Sequence, residues 1–190
     1  MAERSRRRRS KTERKKTVQY RRQVPWAAIA AGIAVLVVLF FIVRGLELGA
    51  PGERVAVSGV GQHPPEGQPI AYDSNLPVGG PHWPSPASWG LQTAQLPDER
   101  VVHNMEHGGI VIDHNAISGD DLAKITSLLS TYPRDKFNEV KLVIQPNTKI
   151  AAGTIALRAW GWRQILTQYD ERAIRAFLDA HMNRCCEDTP

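Results

Sequence analysis

An uninterrupted apolar run near the amino terminus constrains this chain more than any other feature. It reads WAAIAAGIAVLVVLFFIV, over residues 26–43, and its 18 residues include no charged side chain. At 1.5 Å per residue, a helix of this length is about 27 Å long, close to the hydrocarbon thickness of a bilayer. A single span in lipid must be helical, because a helix satisfies its own backbone hydrogen bonds there. The run therefore predicts one transmembrane helix over residues 26–43.

A cleaved signal peptide is the alternative explanation for this run. The apolar core of a signal peptide usually has about 7–15 residues and precedes a cleavage site made of small residues. Here the run is longer, and the RGLE that follows at residues 44–47 does not form such a site. We therefore expect an uncleaved membrane anchor.

The charge distribution orients this anchor. Residues 1–25 contain 11 Lys and Arg against two acidic residues, whereas the remainder contains 13 basic and 17 acidic residues. Basic segments beside a membrane helix stay in the cytoplasm, so residues 1–25 are predicted to be a cytoplasmic tail that contacts anionic lipid. The protein is expected in the cell membrane, single-pass, with its carboxy-terminal domain outside. Because the basic excess belongs to the tail, specific nucleic-acid binding is not expected.

The rest of the chain predicts one extracytoplasmic α+β domain. We expect a linker over residues 44–57, the domain over residues 58–182 and a tail over residues 183–190. Nine of the 13 prolines fall between Pro51 and Pro97, which indicates an ordered loop region rich in Pro and Gly rather than a sheet. The order of the later elements predicts a small, mostly antiparallel sheet with helices on one face.

Regular structure is predicted from about residue 100 onward. One helix is expected to start at Ser118 and to end before Pro133, and another is expected to start at Asp170. β-branched and apolar residues predict four strands, at residues 101–102, 110–112, 140–145 and 154–160.

The sequence HNMEHGG, residues 103–109, contains the densest group of potential metal ligands. Histidines four positions apart share one face of a helical turn, a common spacing for two metal ligands. With Glu106, His103 and His107 also spell H-x-x-E-H, a metallopeptidase string in which the Glu activates a zinc-bound water. The β-branched flanks favour strand, so the sustained helix of such enzymes is not expected. A zinc-dependent hydrolase with Glu106 as its catalytic residue is therefore an alternative. The sequence favours a protein that is not an enzyme.

A wider set of histidines predicts a metal site. His82 lies in GPHWP and His63 lies in QHPPE, both framed by prolines. Together with His103 and His107 they form the predicted ligand set, and Glu106 is expected to orient a ligand or act as a base. Imidazole suits transition metals, and zinc or copper is the expected ion. The alternative is that these histidines satisfy backbone groups in the loops.

Soft side chains form a second group of candidate ligands near the carboxy terminus. Cys185 and Cys186 lie close to His181 and Met182, and such residues could hold Cu(I) or form a disulfide. Met105 is a further soft side chain among the histidines. The alternative is a terminal tail with no role.

Several segments together resemble a bacterial protein family. YDSNLPVGGPHWP, PASWG, PDERVVHNMEHGGIVI, ALRAWG and the terminal helix are similar to the family called domain of unknown function 3105, over about residues 58–182. The resemblance implies one amino-terminal membrane helix with this domain outside. It implies no reaction.

Three functions therefore stay open from the sequence. The first is a membrane-anchored extracytoplasmic protein that binds a transition metal through its histidines. The second is a non-enzymatic binding or assembly module of the cell envelope, whose protein partner the sequence does not identify. The third is the zinc-dependent hydrolase.

Overall fold

The computed structural model describes residues 26–187 and residue 189, without the side chains of residue 28 and residues 42–48. The predicted basic tail, residues 1–25, lies outside these described residues. The described residues divide into two compact units, with the boundary after residue 46. In chain order the described elements are α1 (Trp26–Leu48), β1 (Glu53–Arg54), β2 (Gly90–Leu91), α2 (Asp98–Glu106), β3 (Ile110–Asn115), α3 (Gly119–Thr131), β4 (Leu142–Pro146), β5 (Thr154–Ala159), β6 (Trp162–Leu166) and α4 (Glu171–His181).

Helix α1 has 23 residues and contains the apolar run of the sequence. Its side chains are described without a gap from residue 29 to residue 41, and Leu36, Phe40 and Phe41 are among those exposed. Among the residues that the structure describes, no helix combines the length and apolar character that crossing a membrane requires. The predicted helix over residues 26–43 is thus present. That it spans a membrane stays a prediction.

A six-stranded mixed sheet occupies the second unit, in the order β1-β6-β5-β3-β4-β2. Strand β4 runs parallel to both β2 and β3, whereas β3, β5, β6 and β1 pair successively as antiparallel neighbours. The prediction of a mostly antiparallel sheet is therefore wrong. The cause is α3, which connects β3 to β4 and returns the chain to the starting edge, so that the second strand runs parallel to the first.

Helices pack on both faces of the sheet, which corrects the predicted one-faced arrangement. Ile110 and Ile112 belong to the large apolar core that α3 and α4 complete. Val111, between them, points to the other face and packs with Val143 and with Met105 of α2. Successive residues of a strand alternate between faces, so a strand that is apolar at every position requires cover on both sides.

The capping residues set the starts of α3 and α4 as predicted. The side chain of Ser118 accepts a hydrogen bond from the amide of Asp121, and the side chain of Asp170 accepts one from the amide of Ala173. Such bonds satisfy amides that have no partner inside the helix. Helix α3 ends two residues before Pro133, as expected. The strand predictions at residues 110–112, 140–145 and 154–160 agree with β3, β4 and β5, whereas β6 was not predicted.

Val101 and Val102 lie in α2, so the strand predicted there is wrong. Asp98 and Glu99 place negative charge in the first turn, where the helix dipole favours it, and Gly108 adopts a φ of 77° just beyond the helix end. Burial of both valines against the sheet outweighs their modest preference for strand. The H-x-x-E-H string therefore occupies the end of a nine-residue helix.

The region rich in Pro and Gly between β1 and β2 folds over the sheet without forming helices or strands. Leu76 and Tyr72 pack against apolar side chains of the domain, and the Tyr72 hydroxyl donates to the Pro81 carbonyl at 2.6 Å. Strand β1, inside the predicted linker, pairs with β6. These contacts bring His63 and His82 to the end of α2.

Candidate metal centre

Three of the predicted ligands meet at one point. The ligand atoms of His63, His82 and His103 all lie within 4.8 Å of one another. The first two residues come from the loop region and the third from α2. The ring centroids are 4.6 Å apart for His63 and His82 and 4.9 Å apart for His82 and His103. Two separate parts of the chain therefore build this cluster.

Backbone hydrogen bonds orient two of these rings. Nδ1 of His82 donates to the Gly80 carbonyl at 2.8 Å, and Nδ1 of His103 donates to the Trp83 carbonyl at 2.7 Å. A carbonyl oxygen can only accept, so each Nδ1 carries the ring proton. The Nε2 atoms of the neutral rings then present lone pairs, which is how metal-binding histidines are usually held.

Burial keeps both rings neutral. His82 is fully buried and His103 is nearly so. Desolvation lowers the pKa of both imidazoles below the ordinary 6.5, because burial penalises the charged form. The hydrogen bonds to the carbonyls act in the opposite direction without reversing this shift. Neutral imidazole is the form that binds metals.

Glu106 faces this group with its carboxylate. Its Oε2 lies 2.9 Å from Nε2 of His82 and 3.6 Å from Nε2 of His63. Among the described residues, the buried Oε2 of Glu106 and the buried Nε2 of His82 have no hydrogen-bond partner. With the ring proton on Nδ1, the two close atoms are both acceptors and cannot bond to each other. An unsatisfied buried polar group costs about 1–3 kcal/mol, which a bound cation would offset.

His107 extends the cluster beyond the end of α2. Its Nε2 lies 3.0 Å from Nε2 of His103 and 3.6 Å from Oε2 of Glu187. Two atoms that bind one ion at about 2.1 Å lie roughly 3 to 3.4 Å apart. The 2.9 Å between His82 and Glu106 and the 3.0 Å between His103 and His107 are close to this range, whereas the group whose donors all lie within 4.8 Å of one another consists of His63, His82 and His103.

The remaining residues of the HNMEHGG motif support the cluster. The Asn104 side chain accepts from the Ala87 amide and donates to the Ala87 carbonyl, both at 2.8 Å, which ties the loop region to α2. Met105 is fully buried in an apolar cluster, so it is not a candidate ligand. A Cβ at Gly109 would lie 2.5 Å from the Trp89 ring. The motif thus combines candidate ligand positions with packing positions.

Cys185 and Cys186 are joined by a disulfide, and the soft-ligand group predicted around them does not assemble. Nε2 of His181 donates to the Pro51 carbonyl at 2.8 Å. Met182 is buried in the large apolar core. These two side chains serve packing and hydrogen bonding.

Sequence reasoning missed Glu187, which lies in the segment that was predicted to be a terminal tail. The amide of Glu187 donates to the Glu106 carbonyl at 3.1 Å, which places its side chain beside His107. Glu187 lies about 80 positions beyond the motif, and sequence periodicity indicates contacts only between residues close in the chain. Only the fold brings the two together.

Comparison with known proteins supports the resemblance that the motifs indicated. No curated protein and no solved structure matches the chain. Residues 63–189 match the family described as Protein of unknown function (DUF3105). The matched region contains His63, His82, the HNMEHGG motif and Glu187. The chain therefore belongs to the DUF3105 family.

Proposed function

We propose that this protein binds one divalent transition-metal ion through His63, His82 and His103, with Glu106 and His107 completing the ligand set. The buried pair formed by Nε2 of His82 and Oε2 of Glu106 carries this proposal. Buried polar atoms are normally hydrogen-bonded or bound to a metal. A cation between these two acceptors would replace a repulsive contact with two attractive ones.

The donor atoms select the class of ion. Imidazole nitrogens with one carboxylate oxygen suit zinc, copper(II), iron(II) and nickel, whereas calcium and magnesium prefer oxygen ligands throughout. The group formed by His63, His82 and His103 contains no cysteine, and Met105 packs in an apolar cluster, so Cu(I) is the less suited form of copper. Zinc or copper is the ion expected from the sequence, and zinc and copper(II) both match this donor set.

We further propose that α1 anchors this metal-binding domain to the outer face of the cell membrane. The uncharged run over residues 26–43 is longer than the part of α1 whose side chains are described. The basic residues before it favour a cytoplasmic amino terminus and contact with anionic lipid. Recovery of the full-length protein from washed membranes only with detergent would support this anchor, and recovery without detergent would contradict it.

Metal analysis of the full-length protein, purified in detergent, tests the metal site. We expect about one equivalent of Zn²⁺ or Cu²⁺ after incubation and removal of excess metal. His103→Ala is expected to weaken Zn²⁺ binding about 100-fold or more, because it removes a direct ligand. The matched control is His114→Ala, a histidine of β3 outside the cluster, which should bind as wild type.

A wild-type protein that retains less than about a tenth of an equivalent would contradict the proposal, as would equal loss in the two variants. A protein without metal would instead favour a binding or assembly module of the cell envelope, and cross-linking in membranes would then identify its partner.

We do not propose the hydrolase, because Glu106 is buried against His82 and His63, which suits a ligand better than a base that must reach a water molecule.

A further inference from the structure

The carboxy-terminal segment, residues 183–187, lies against the end of α2. The amide of Asn183 donates to the Gly108 carbonyl at 2.8 Å, and the amide of Glu187 donates to the Glu106 carbonyl at 3.1 Å. One bond holds each end of the segment to the motif that carries the histidines. The segment is therefore attached to the backbone of the metal site itself.

Gly108 provides the space that this segment occupies. A Cβ at Gly108 would lie 3.0 Å from Cα of Asn183 and 3.4 Å from the carbonyl oxygen of Cys185. A side chain there would press on the backbone of the segment, and the φ of 77° also disfavours any residue with a Cβ. The buried Lys141 donates to the Thr189 carbonyl just beyond the segment, which provides a further attachment.

The position of Glu187 gives the segment a chemical role. Its carboxylate lies 3.6 Å from Nε2 of His107 and its side chain is half exposed. A divalent ion with neutral imidazoles and Glu106 as its sole carboxylate would keep one uncompensated positive charge. Uncompensated charge in a buried site is unfavourable, and a second carboxylate would bring the net charge of the site to zero.

We infer that the carboxy-terminal segment covers the metal site and that Glu187 supplies a second carboxylate to the bound ion. This inference rests on the proposed metal binding. Because most residues of the segment are exposed and a few hydrogen bonds attach it, its local opening controls the release of the ion.

Zinc release from the full-length protein in detergent tests this inference. Zn²⁺ affinity and the rate of Zn²⁺ extraction by a chelator would be compared for wild type, Glu187→Gln and Glu171→Gln. The control Glu171 is an exposed carboxylate of α4 that pairs with Arg175. We expect Glu187→Gln to keep binding Zn²⁺ but to bind it about 10-fold or more weakly and to release it correspondingly faster, with the control unchanged.

A second variant separates the position of the segment from the charge of its side chain. Gly108→Ala keeps Glu187 but displaces the segment, so it should also speed Zn²⁺ release. If Glu187→Gln binds and releases Zn²⁺ as wild type does, the inference is overturned and the proposed metal binding stands. If wild type itself binds no metal, both are overturned.

Discussion

The two ends of α2 contact two buried polar clusters that differ in how completely their atoms are paired. At the amino-terminal end, Nε of the buried Arg158 lies 2.6 Å from Oδ2 of Asp113, and its Nη1 lies 2.8 Å from Oδ1 of Asp98. At the other end, His82 and Glu106 face each other with acceptor atoms that have no hydrogen-bond partner among the described residues.

Neighbouring side chains complete the first cluster. Gln145 and Asn147 donate to Asp113 at 2.7 and 3.0 Å, and Lys149 pairs with Asp98. Every charge there has an opposite partner, as a stable buried ion cluster requires. The comparison teaches that a buried polar cluster satisfied by its own residues stabilises the fold, whereas one with unsatisfied acceptors is available to an external cation.

Removing the charge of Arg158, at the amino-terminal end of α2, should have the largest effect on stability. Arg158→Met leaves the buried Asp113 without a positive charge and Asp98 with Lys149 alone, so we expect the free energy of unfolding to fall by about 3–5 kcal/mol. Urea denaturation of the detergent-purified protein would measure it. The control Arg175→Met removes an exposed pair with Glu171 and should cost less than about 0.5 kcal/mol. Equal losses in the two variants would contradict the structural role of the first cluster.

Neutralising Glu106, at the other end of α2, should change the free energy of unfolding less and in the opposite direction. In Glu106→Gln the new amide can donate to Nε2 of His82, so metal-free protein should keep its stability or gain about 1 kcal/mol. The added stabilisation by Zn²⁺ should fall, because a ligand charge is lost. Urea denaturation with Zn²⁺ and with a chelator separates the two effects. A loss in metal-free protein as large as that of Arg158→Met would show that Glu106 belongs to a structural network instead.

Acidification should have the smallest effect on the free energy of unfolding. This effect should come from the histidines of the second cluster and not from the ion pairs of the first. Burial lowers the pKa of His82 and His103 below 6.5, so the unfolded chain takes up more protons as the pH falls through this value. The free energy of unfolding of metal-free protein should therefore decrease below about pH 6.5. Zn²⁺ should make this decrease steeper, because a metal-bound imidazole in the folded protein cannot take up a proton, whereas the same histidine in the unfolded chain still does. Melting curves between about pH 5 and pH 7.5, with and without Zn²⁺, would measure it. Identical pH dependence in both conditions would argue against these rings as ligands.

Local signals in the sequence were sufficient for several elements. Ser118 and Asp170 are capping residues whose effect is confined to one helical turn, and both helix starts were predicted correctly. The helix through Val101 and Val102 was not predicted, because these valines locally favour strand and only their burial against the sheet reverses that preference. The parallel pairing of β3 and β4 likewise depends on the tertiary placement of α3, which returns the chain to the end of the sheet where β3 begins.

The sequence by itself determined the kinds of candidate ligand, the apolar run and the family resemblance, because these depend on residue identity and spacing along the chain. It also predicted that His63, His82, His103 and His107 act together. Only the tertiary structure decided that their rings meet, that Met105 packs in an apolar cluster and that Glu187 lies beside His107. Those outcomes depend on contacts between residues far apart in the chain, and such contacts are set by how the sheet, the loops and the carboxy terminus pack.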